Sequence, residues 1–188
     1  MNIWKEVWEY IKMFLIVILI VFVIDEVVFI NARIPSGSME NTIMTKDRIF
    51  GFRMAYGINL DFFNKDVWTV KMRDPKRMDI VIFRYPDDES ELFIKRIIGL
   101  PGETLEIHNG KVFIDGVLHE ECNAYIKEEW RYGTEFGPVE IPENSFFMMG
   151  DNRNNSRDSR FWTNTFVTFD QIVGKAMVRY WPRPKILW

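Results

Sequence analysis

The amino-acid sequence predicts a mainly β protein, with a barrel-like antiparallel domain that follows one N-terminal transmembrane helix. Three observations support this fold class. Twelve apolar residues run without interruption over positions 13–24. From position 47 onward, short segments rich in Val, Ile, Phe and Tyr alternate with Gly, Pro and Asn turns. No stretch after position 31 has the pattern of a long, capped amphipathic helix.

The apolar run "MFLIVILIVFVI" is shorter than the ~20 residues that cross a bilayer, but its flanks extend it. Trp4, Trp8 and Tyr10 suit a membrane interface, and the Lys12 ammonium can reach the head groups. The alternative is a helix buried in the protein core. A cleavable signal peptide is less consistent, because the residues that follow the run include one small residue, Ala32.

These features predict two parts of the chain. Residues 1–31 form a short N-terminal tail and an uncleaved anchor helix, and residues 32–188 form the β-rich domain. Lys5 and Lys12 precede the apolar run, whereas Arg33 is the one close cation after it. This bias favours a cytoplasmic N-terminus, so we expect a single-pass protein of the cell membrane with an extracytoplasmic β-rich domain.

Three segments have the composition of strands: "DIVIFRY" (79–85), "LFIKRIIGL" (92–100) and "IVGKAMVRYW" (172–181). Asn-Gly at 109–110 and Asp-Gly at 115–116 predict two-residue hairpins, because both dipeptides accept a positive φ. Residues 121–140 are polar and aromatic without a clear period, so we expect a loop there.

The charge and the residue counts exclude several kinds of site. The formal net charge is −3 with no block of Lys or Arg, which argues against a nucleic-acid partner. Cys122 is the single cysteine, so neither an intramolecular disulfide nor a cysteine-type zinc site can form. His108 and His119 lie near the predicted hairpins without a supporting motif. We therefore predict no metal and no cofactor.

The segment "RIPSGSMENTI" at 33–43 places two serines around one glycine, just after the apolar run. A serine hydroxyl becomes a useful nucleophile when a base accepts its proton. Neither histidine has the motif of a catalytic base, but a lysine serves in Ser-Lys variants of this chemistry if burial keeps it neutral. Lys95 lies in the apolar segment "ELFIKRIIGL" and, in a strand, shares a face with Phe93 and Ile97.

The residues alone leave alternatives open. On an edge strand Lys95 would point into solvent, and we expect one of the neighbours Lys95 and Arg96 to point inward. The polar segment "MGDNRNNSRDSR" at 149–160 is either a solvated loop held by Asx turns or a scaffold that orients a neighbouring active group.

Taken together, three segments resemble the type I signal peptidases, the membrane-anchored Ser-Lys proteases that remove signal peptides. "PSGSMENT" (35–42) resembles the nucleophile box Pro-Ser-x-Ser-Met-x-Pro-Thr, and "IKRIIGLPGE" (94–103) resembles the lysine box. "GDNRNNSRDSR" (150–160) resembles the box Gly-Asp-Asn-Arg-Asp-Asn-Ser-x-Asp-Ser-Arg. Further strand motifs are similar at "KDRIFGFRMAYG" (46–57), "DIVIF" (79–83) and "IVGKAMVRYWP" (172–182).

The resemblance implies that Ser38 is the nucleophile and Lys95 the general base. It also implies an oxyanion hole formed by the Ser36 hydroxyl and the Ser38 backbone N–H. Two nearby positions depart from the family pattern: Asn41 stands where proline is usual, and Met78 stands where glycine is common. Neither departure removes a group that takes part in the implied chemistry.

The resemblance also assigns supporting roles in the polar segment at 150–160. Ser156 would hydrogen-bond the lysine, and Asp158 and Arg160 would form an ion pair that braces the site. Asn154 departs from the usual Asp and removes one charge from this segment.

The implied protein is a serine endopeptidase that cleaves N-terminal signal peptides from exported preproteins at the outer membrane surface. Its partners would be these preproteins and the lipid bilayer. The substrate would be an extended peptide that adds to a strand edge, with small side chains at the first and third positions before the cut. Two other classes remain: a self-cleaving Ser-Lys protein of the LexA type, and a non-enzymatic, membrane-tethered β-domain.

Overall fold

The computed structural model describes residues 3–62, 65–123, 126 and 128–187. The helix α1 spans Ile3–Val23 and continues into a π-helical turn at Ile24–Val28. The strands are β1 (Phe29–Arg33), β2 (Arg48–Phe52), β3 (Gly57–Phe62), β4 (Lys65–Lys71), β5 (Ile80–Tyr85), β6 (Asp88–Gly99), β7 (Thr104–His108), β8 (Lys111–Ile114), β9 (Val117–Leu118), β10 (Phe136–Glu140), β11 (Ser145–Met149), β12 (Val167–Thr168), β13 (Ile172–Trp181) and β14 (Lys185–Ile186). Short 3-10 turns lie at Arg53–Ala55, Glu120–Asn123, Arg153–Asn155 and Phe169–Gln171.

The described strands pair into three antiparallel sheets. The largest has 8 strands in the order β1-β2-β13-β5-β6-β11-β12, with β14 attached to β13. A four-stranded sheet has the order β10-β7-β8-β9, and β3 pairs with β4. In the large sheet Arg96 of β6 lies opposite Met149, near the end of β11. The polar segment that leaves β11 at Gly150 therefore begins beside Lys95.

The predicted mainly antiparallel β architecture is confirmed, but the barrel-like closure is wrong. In the described part of the chain, β1 and β12 end the large sheet on opposite sides and do not pair with each other. β12 has two residues, too few to form a long closing edge. Between β6 and β11 the chain instead builds β7–β10 as a separate sheet.

A helix is observed at the predicted N-terminal position. Its first half includes the charged residues Glu9 and Lys12, whose side chains lie 2.6 Å apart. Its second half carries exposed apolar side chains, among them Phe14 and Leu19, which are 65% and 60% exposed. No helix within the described residues combines the length and the apolar character required to cross a bilayer, so the predicted membrane span is not supported.

Strands β5 and β6 are buried on both faces. The first four residues of β5 and the last six of β6 are buried. One hydrophobic cluster contains Ile82, and a second contains its strand neighbour Val81, whose side chain points to the opposite face. Lys95 and Arg96 are consequently both buried, whereas the sequence suggested that one of them points inward.

Both hairpin predictions are confirmed. Asn109, Gly110, Asp115 and Gly116 all have positive φ, and their turns join β7 to β8 and β8 to β9. The three predicted strands correspond to β5, β6 and β13. The prediction of a loop at 121–140 is wrong for the last residues of this segment, which form β10 and pair with β7. Positions 124, 125 and 127 of that segment lie outside the described residues.

Candidate active site

The predicted nucleophile and the predicted base lie next to each other. Lys95 Nζ donates a hydrogen bond to Ser38 Oγ at 2.7 Å and another to the Ile94 carbonyl oxygen at 3.2 Å. Ser38 lies in the turn that follows β1, and Lys95 lies in β6 opposite Val81 of β5. Both side chains are buried. The sheet thus fixes the lysine backbone, and the turn brings the serine hydroxyl to its amine.

Burial controls the charge state of Lys95. Removal of the ammonium from water lowers the pKa of Lys95 from 10.5 to about 8, while the nearby carboxylates of Asp158 and Asp151 act in the raising direction. The lysine Nζ also lies 5.3 Å from the centroid of the Phe93 ring, on the face that the strand period predicts. A substantial fraction of this lysine is neutral near pH 8, so it can accept a proton there.

The second serine of the turn faces the first. Ser36 Oγ lies 3.5 Å from Ser38 Oγ, and Ser36 is exposed whereas Ser38 is buried. Gly37, between them, lies under the carboxylate of Glu40: a Cβ at position 37 would lie 2.9 Å from the Glu40 carboxylate carbon. A larger residue at this position would have to displace the end of the flexible Glu40 side chain.

Ser156 lies beside the turn at residues 36–43, named the nucleophile turn after the predicted nucleophile Ser38, but the structure does not contain its expected hydrogen bond to Lys95. Ser156 Oγ is buried and has no hydrogen-bond partner among the described residues. A Cβ at Gly150 would collide with Ser156 Oγ and with the Ser38 carbonyl oxygen. Because glycine has no side chain, the segment that contains Ser156 can pack against the nucleophile turn at Gly150.

Asp158 and Arg160 form the bidentate ion pair that the resemblance implies. Arg160 Nε lies 2.8 Å from Asp158 Oδ1, and Arg160 Nη2 lies 2.9 Å from Asp158 Oδ2. Both side chains are buried. Asp158 Oδ2 also accepts the Gly150 backbone N–H at 3.0 Å. The pair thus fixes Gly150, the residue at which the segment meets the nucleophile turn.

A second buried ion pair, which the sequence analysis did not predict, joins Arg96 and Asp151. Arg96 donates to Asp151 through Nε at 2.8 Å and through Nη2 at 2.6 Å, and both side chains are almost completely buried. The Thr42 hydroxyl donates to the same Asp151 carboxylate. Asp151 therefore joins β6 to the end of the nucleophile turn. Two features of the sequence could have pointed to this ion pair: Arg96 is next to Lys95, and Asp151 lies in the polar segment.

Asn152 attaches the polar segment to the nucleophile turn itself. Its backbone N–H donates to the Ser38 carbonyl oxygen at 3.1 Å, and its Nδ2 donates to the Gly37 carbonyl oxygen at 3.1 Å. These two bonds hold the two peptide groups that flank Ser38. The sequence offered no direct signal for this contact, because the residues lie 115 positions apart.

Two departures from the family pattern have a backbone explanation. Asn41 has a φ of 98°, in the left-handed region that asparagine tolerates and that proline, fixed near −65°, cannot adopt. Met78 also has a positive φ, of 74°, where the usual glycine would be unstrained. Position 41 therefore requires a backbone that differs from the one expected for the proline-containing box.

The third departure, Asn154, uses both sides of its amide. Its Nδ2 donates to the Glu129 carbonyl oxygen at 2.8 Å, and its Oδ1 accepts the Arg131 backbone N–H at 2.7 Å. An ionised aspartate accepts hydrogen bonds but cannot donate one, so it would satisfy one of these two groups. Asparagine at this position thus ties residues 129–131 to the polar segment.

An apolar groove leads to the nucleophile turn. Its volume is about 730 Å³, and it is bordered by residues 29–35 along β1 and by residues 92–94 of β6. The groove therefore ends at Pro35, three residues before Ser38. His108 and His119 take no part in this region and instead contact the exposed carboxylates of Glu135 and Glu121.

Known proteins resemble the chain over most of its length. The family described as signal peptidase, peptidase S26, matches residues 7–181. A probable signal peptidase I-2 from a Synechocystis strain is 37% identical over 158 residues, which cover 81% of this chain and 63% of that protein. Signal peptidase I from Pseudomonas fluorescens is 35% identical over an alignment of 214 positions, gaps included, which covers 95% of this chain and 74% of that protein.

A solved structure is also similar. The crystal structure of a signal peptidase I from Enterococcus faecalis V583 shares 30% identity with this chain, with a TM-score of 0.44 over 56% of this chain and 98% of its own. The chain spans 63% and 74% of the lengths of the Synechocystis and Pseudomonas relatives. Because the family match extends over nearly all of its sequence, the chain belongs to the signal peptidase family, peptidase S26.

Proposed function

We propose that this chain is a serine endopeptidase that cleaves N-terminal signal peptides from exported preproteins with a Ser38–Lys95 dyad. Membership of the signal peptidase family supports the reaction and the substrate class. The observation that carries the dyad is the 2.7 Å hydrogen bond between Lys95 Nζ and Ser38 Oγ in a buried environment. Burial supplies the neutral lysine that a serine nucleophile needs as its base.

In the proposed reaction, neutral Lys95 accepts the proton of Ser38 Oγ as this oxygen attacks the carbonyl carbon of the scissile peptide bond. The C–O bond forms, and the carbonyl becomes a tetrahedral oxyanion. The Lys95 ammonium then donates its proton to the leaving nitrogen as the C–N bond breaks. A water molecule, deprotonated by Lys95, then attacks the acyl carbon. The ester C–O bond to Ser38 breaks as the Lys95 ammonium returns the proton to Ser38 Oγ, and the signal peptide leaves with a free carboxylate.

The Ser36 hydroxyl and the Ser38 backbone N–H are the proposed donors to the oxyanion. The 3.5 Å separation of the two serine hydroxyl oxygens supports this arrangement, because Ser36 then lies beside the attacking atom. We propose that Ser156 hydrogen-bonds Lys95 during the reaction, since its buried Oγ has no other partner among the described residues. Asp158 and Arg160 act as positioning residues through Gly150.

The apolar groove beside β1 is the proposed site for the residues before the cut. An extended peptide can pair with an exposed strand edge through backbone hydrogen bonds, and the large sheet ends at β1. The groove leads to Pro35 and so directs such a peptide toward Ser38. This arrangement is consistent with small side chains at the first and third positions before the cut, which lie closest to the buried dyad.

We further propose that residues 1–31 attach the enzyme to the bilayer and that residues 32–188 act at its outer surface. The apolar side chains at positions 13–22 are exposed, which supports contact with lipid. Attachment to the membrane that holds the substrate's own apolar segment would raise their effective concentration.

The test of the dyad is cleavage of a preprotein in detergent by the wild type and by the variants Ser38→Ala and Lys95→Ala. Each variant should lose essentially all activity, because the nucleophile or its base is absent. Ser90→Ala and Lys111→Ala, at exposed positions, are matched controls that should retain it. Circular dichroism should give folded spectra for all four variants. Normal cleavage by folded Ser38→Ala or Lys95→Ala protein would rule out the proposed dyad.

A further inference from the structure

Three aromatic rings lie in contact with one another beside Lys95. The centroid of the Phe93 ring lies 5.3 Å from Lys95 Nζ. Tyr85 stacks on Phe93, with 4.4 Å between the ring centroids and an angle of 2° between the ring planes. Trp162 forms T-shaped contacts with both rings, at 5.4 Å from Tyr85 and 6.1 Å from Phe93. We call Tyr85, Phe93 and Trp162 the aromatic cluster.

The aromatic cluster covers the face of the large sheet from which the Lys95 side chain projects. Phe93 and Lys95 share this face of β6, because they are two positions apart in the strand. Phe83, the partner of Phe93 in β5, also contacts Trp162, at 5.9 Å between the ring centroids. Trp162 and Lys95 are buried, whereas Phe93 is partly exposed. The Phe93 ring is therefore an outer layer over Lys95, and Tyr85 and Trp162 hold this ring in place.

Asp87 attaches the segment that contains Trp162 to the end of β5. Asp87 Oδ2 accepts the Tyr85 hydroxyl at 2.9 Å and the Thr163 backbone N–H at 3.0 Å, and its Oδ1 accepts the Asn164 backbone N–H at 2.7 Å. The two residues that follow Trp162 are thus bound to the same carboxylate as Tyr85. This attachment fixes the indole ring against its two aromatic neighbours.

The indole N–H of Trp162 makes no hydrogen bond to the described residues, although Nε1 is buried. A buried donor without an acceptor lowers the stability of a folded protein. The contribution of Trp162 to this site therefore comes from its ring, which phenylalanine can largely replace without the unpaired N–H.

The charged groups near Lys95 are held by contacts outside the aromatic cluster. Those of the polar segment and of β6 form two buried ion pairs: Asp158 with Arg160, and Asp151 with Arg96. The ionisable groups on the side of the cluster are Tyr85, Asp87, Glu91 and Arg157. Arg157 is exposed and lies 5.8 Å from the centroid of the Tyr85 ring. A change confined to the neutral Trp162 side chain removes none of these charges.

We propose that Trp162 is a positioning residue of the Ser38–Lys95 dyad, which holds the Phe93 ring over Lys95 and so keeps water from the amine. The proposal rests on the proposed peptidase function and adds one residue to its machinery. Burial is the largest influence on the pKa of Lys95, and it acts in the lowering direction. Loss of the Trp162 ring should therefore raise this pKa, even though a looser Phe93 ring would also attract the ammonium less strongly.

The test is the dependence of kcat/KM on pH, from pH 6 to pH 10, for cleavage of a preprotein in detergent by the wild type, Trp162→Ala and Trp162→Phe. In Trp162→Ala we expect the midpoint to move up by about one pH unit, so that kcat/KM falls about tenfold at pH 7 and changes little at pH 10. Trp162→Phe, which keeps an aromatic ring, should retain the wild-type midpoint. Rates are expressed per folded enzyme, measured by circular dichroism.

A control separates positioning from stability. Ile114→Ala removes a buried side chain from the cluster around the β7–β10 sheet and should destabilise the protein without moving the midpoint. A role of Trp162 in stability alone would likewise leave the midpoint of the folded enzyme unchanged.

A second variant tests the same role without emptying the core. Asp87→Ala removes the carboxylate that anchors the residues after Trp162, and we expect a smaller upward shift of the midpoint. Loss of a negative charge would by itself shift the midpoint downward, so an upward shift reports water access to Lys95. Asp88→Ala is the matched control, because this exposed carboxylate contacts Ser90 and should be removable without a shift.

A wild-type midpoint in folded Trp162→Ala, or in Asp87→Ala if the first variant does not fold, would overturn the role of Trp162 and leave the peptidase function intact. An equal shift in Trp162→Phe and Trp162→Ala would also overturn it, because the ring would then not be the group that matters. Failure of the wild type to cleave the preprotein would instead overturn the peptidase function, and the positioning role with it.

Discussion

At the scale of single residues, Lys95 is the group whose environment most directly determines the proposed reaction. Desolvation lowers its pKa, and the carboxylates of Asp158 and Asp151 oppose this effect, so that the pKa is about 8. The ion pairs that brace the site thus also limit how far the base is activated. A fully apolar environment would lower this pKa further, and the neutral amine would then be a weaker acceptor for the Ser38 proton.

The pH dependence of cleavage follows from this pKa. The active form of Lys95 is neutral, so kcat/KM should be constant above pH about 8 and should fall about tenfold for each pH unit below it. The measurement is kcat/KM from pH 6 to pH 9, with a substrate that has no titratable side chain near the cut. A profile that is flat across this range would contradict the role of Lys95 as the base.

Asn41 provides a test of the turn that follows the nucleophile. Because its φ is 98°, replacement by the family's usual proline requires a different backbone, and Asn41→Pro should lower the free energy of unfolding by more than ~1 kcal/mol and reduce kcat/KM. Asn41→Gly, which adopts positive φ freely, is the matched control and should stay close to the wild type. Thermal unfolding and preprotein cleavage give the two readouts. Equal stability of the proline and glycine variants would show that the turn does not require a left-handed residue.

At the scale of elements, the strand β6 determines where the site forms. The sequence predicted this strand and the face that Lys95 shares with Phe93, because both follow from apolar composition and from the period of two. It did not predict that Arg96 is buried as well, since burial on the second face depends on a partner, Asp151, that lies 55 positions away. Long-range pairing of this kind leaves no local pattern in a single sequence. For the same reason the role of Asn152 was missed.

The buried pair of Arg96 and Asp151 should be important for the stability of the site. Asp151→Ala would leave the Arg96 guanidinium buried without a counter-charge, and we expect a loss of ~3–5 kcal/mol in the free energy of unfolding. Glu129→Ala is the control, because Glu129 forms an exposed contact with Arg131 at 3.7 Å and its loss should leave the urea midpoint unchanged. Similar urea midpoints for Asp151→Ala and the wild type would mean that water or a local rearrangement compensates Arg96.

At the scale of the whole molecule, the large sheet and the polar segment meet at the nucleophile turn. The turn lies between β1 and β2, Lys95 comes from β6, and Gly150 to Asn152 follow β11. β6 and β11 are neighbours in the large sheet, so the position of the polar segment follows from the sheet topology. Sequence motifs identified these pieces, but the open sheet and the separate β7–β10 sheet depend on strand partners that composition does not specify.

The N-terminal helix bears on the proposed location of the enzyme at the membrane. Exposed apolar side chains on α1, such as Leu15, Ile18 and Leu19, are 57%, 48% and 60% exposed and would favour a lipid environment over water. The full chain should therefore float with phospholipid vesicles in a density gradient. A variant with glutamate at these three positions should remain with the soluble fraction, because charged side chains resist transfer into hydrocarbon.

The matched control for this flotation measurement is Val117→Glu, which adds a carboxylate at an exposed apolar position outside α1. This variant should float like the wild type. If membrane attachment raises the effective concentration of substrate, the triple glutamate variant should lose more activity toward a preprotein embedded in vesicles than toward a short soluble peptide. Flotation of the triple variant, or an equal loss toward both substrates, would argue that α1 does not attach the enzyme to the membrane that holds its substrate.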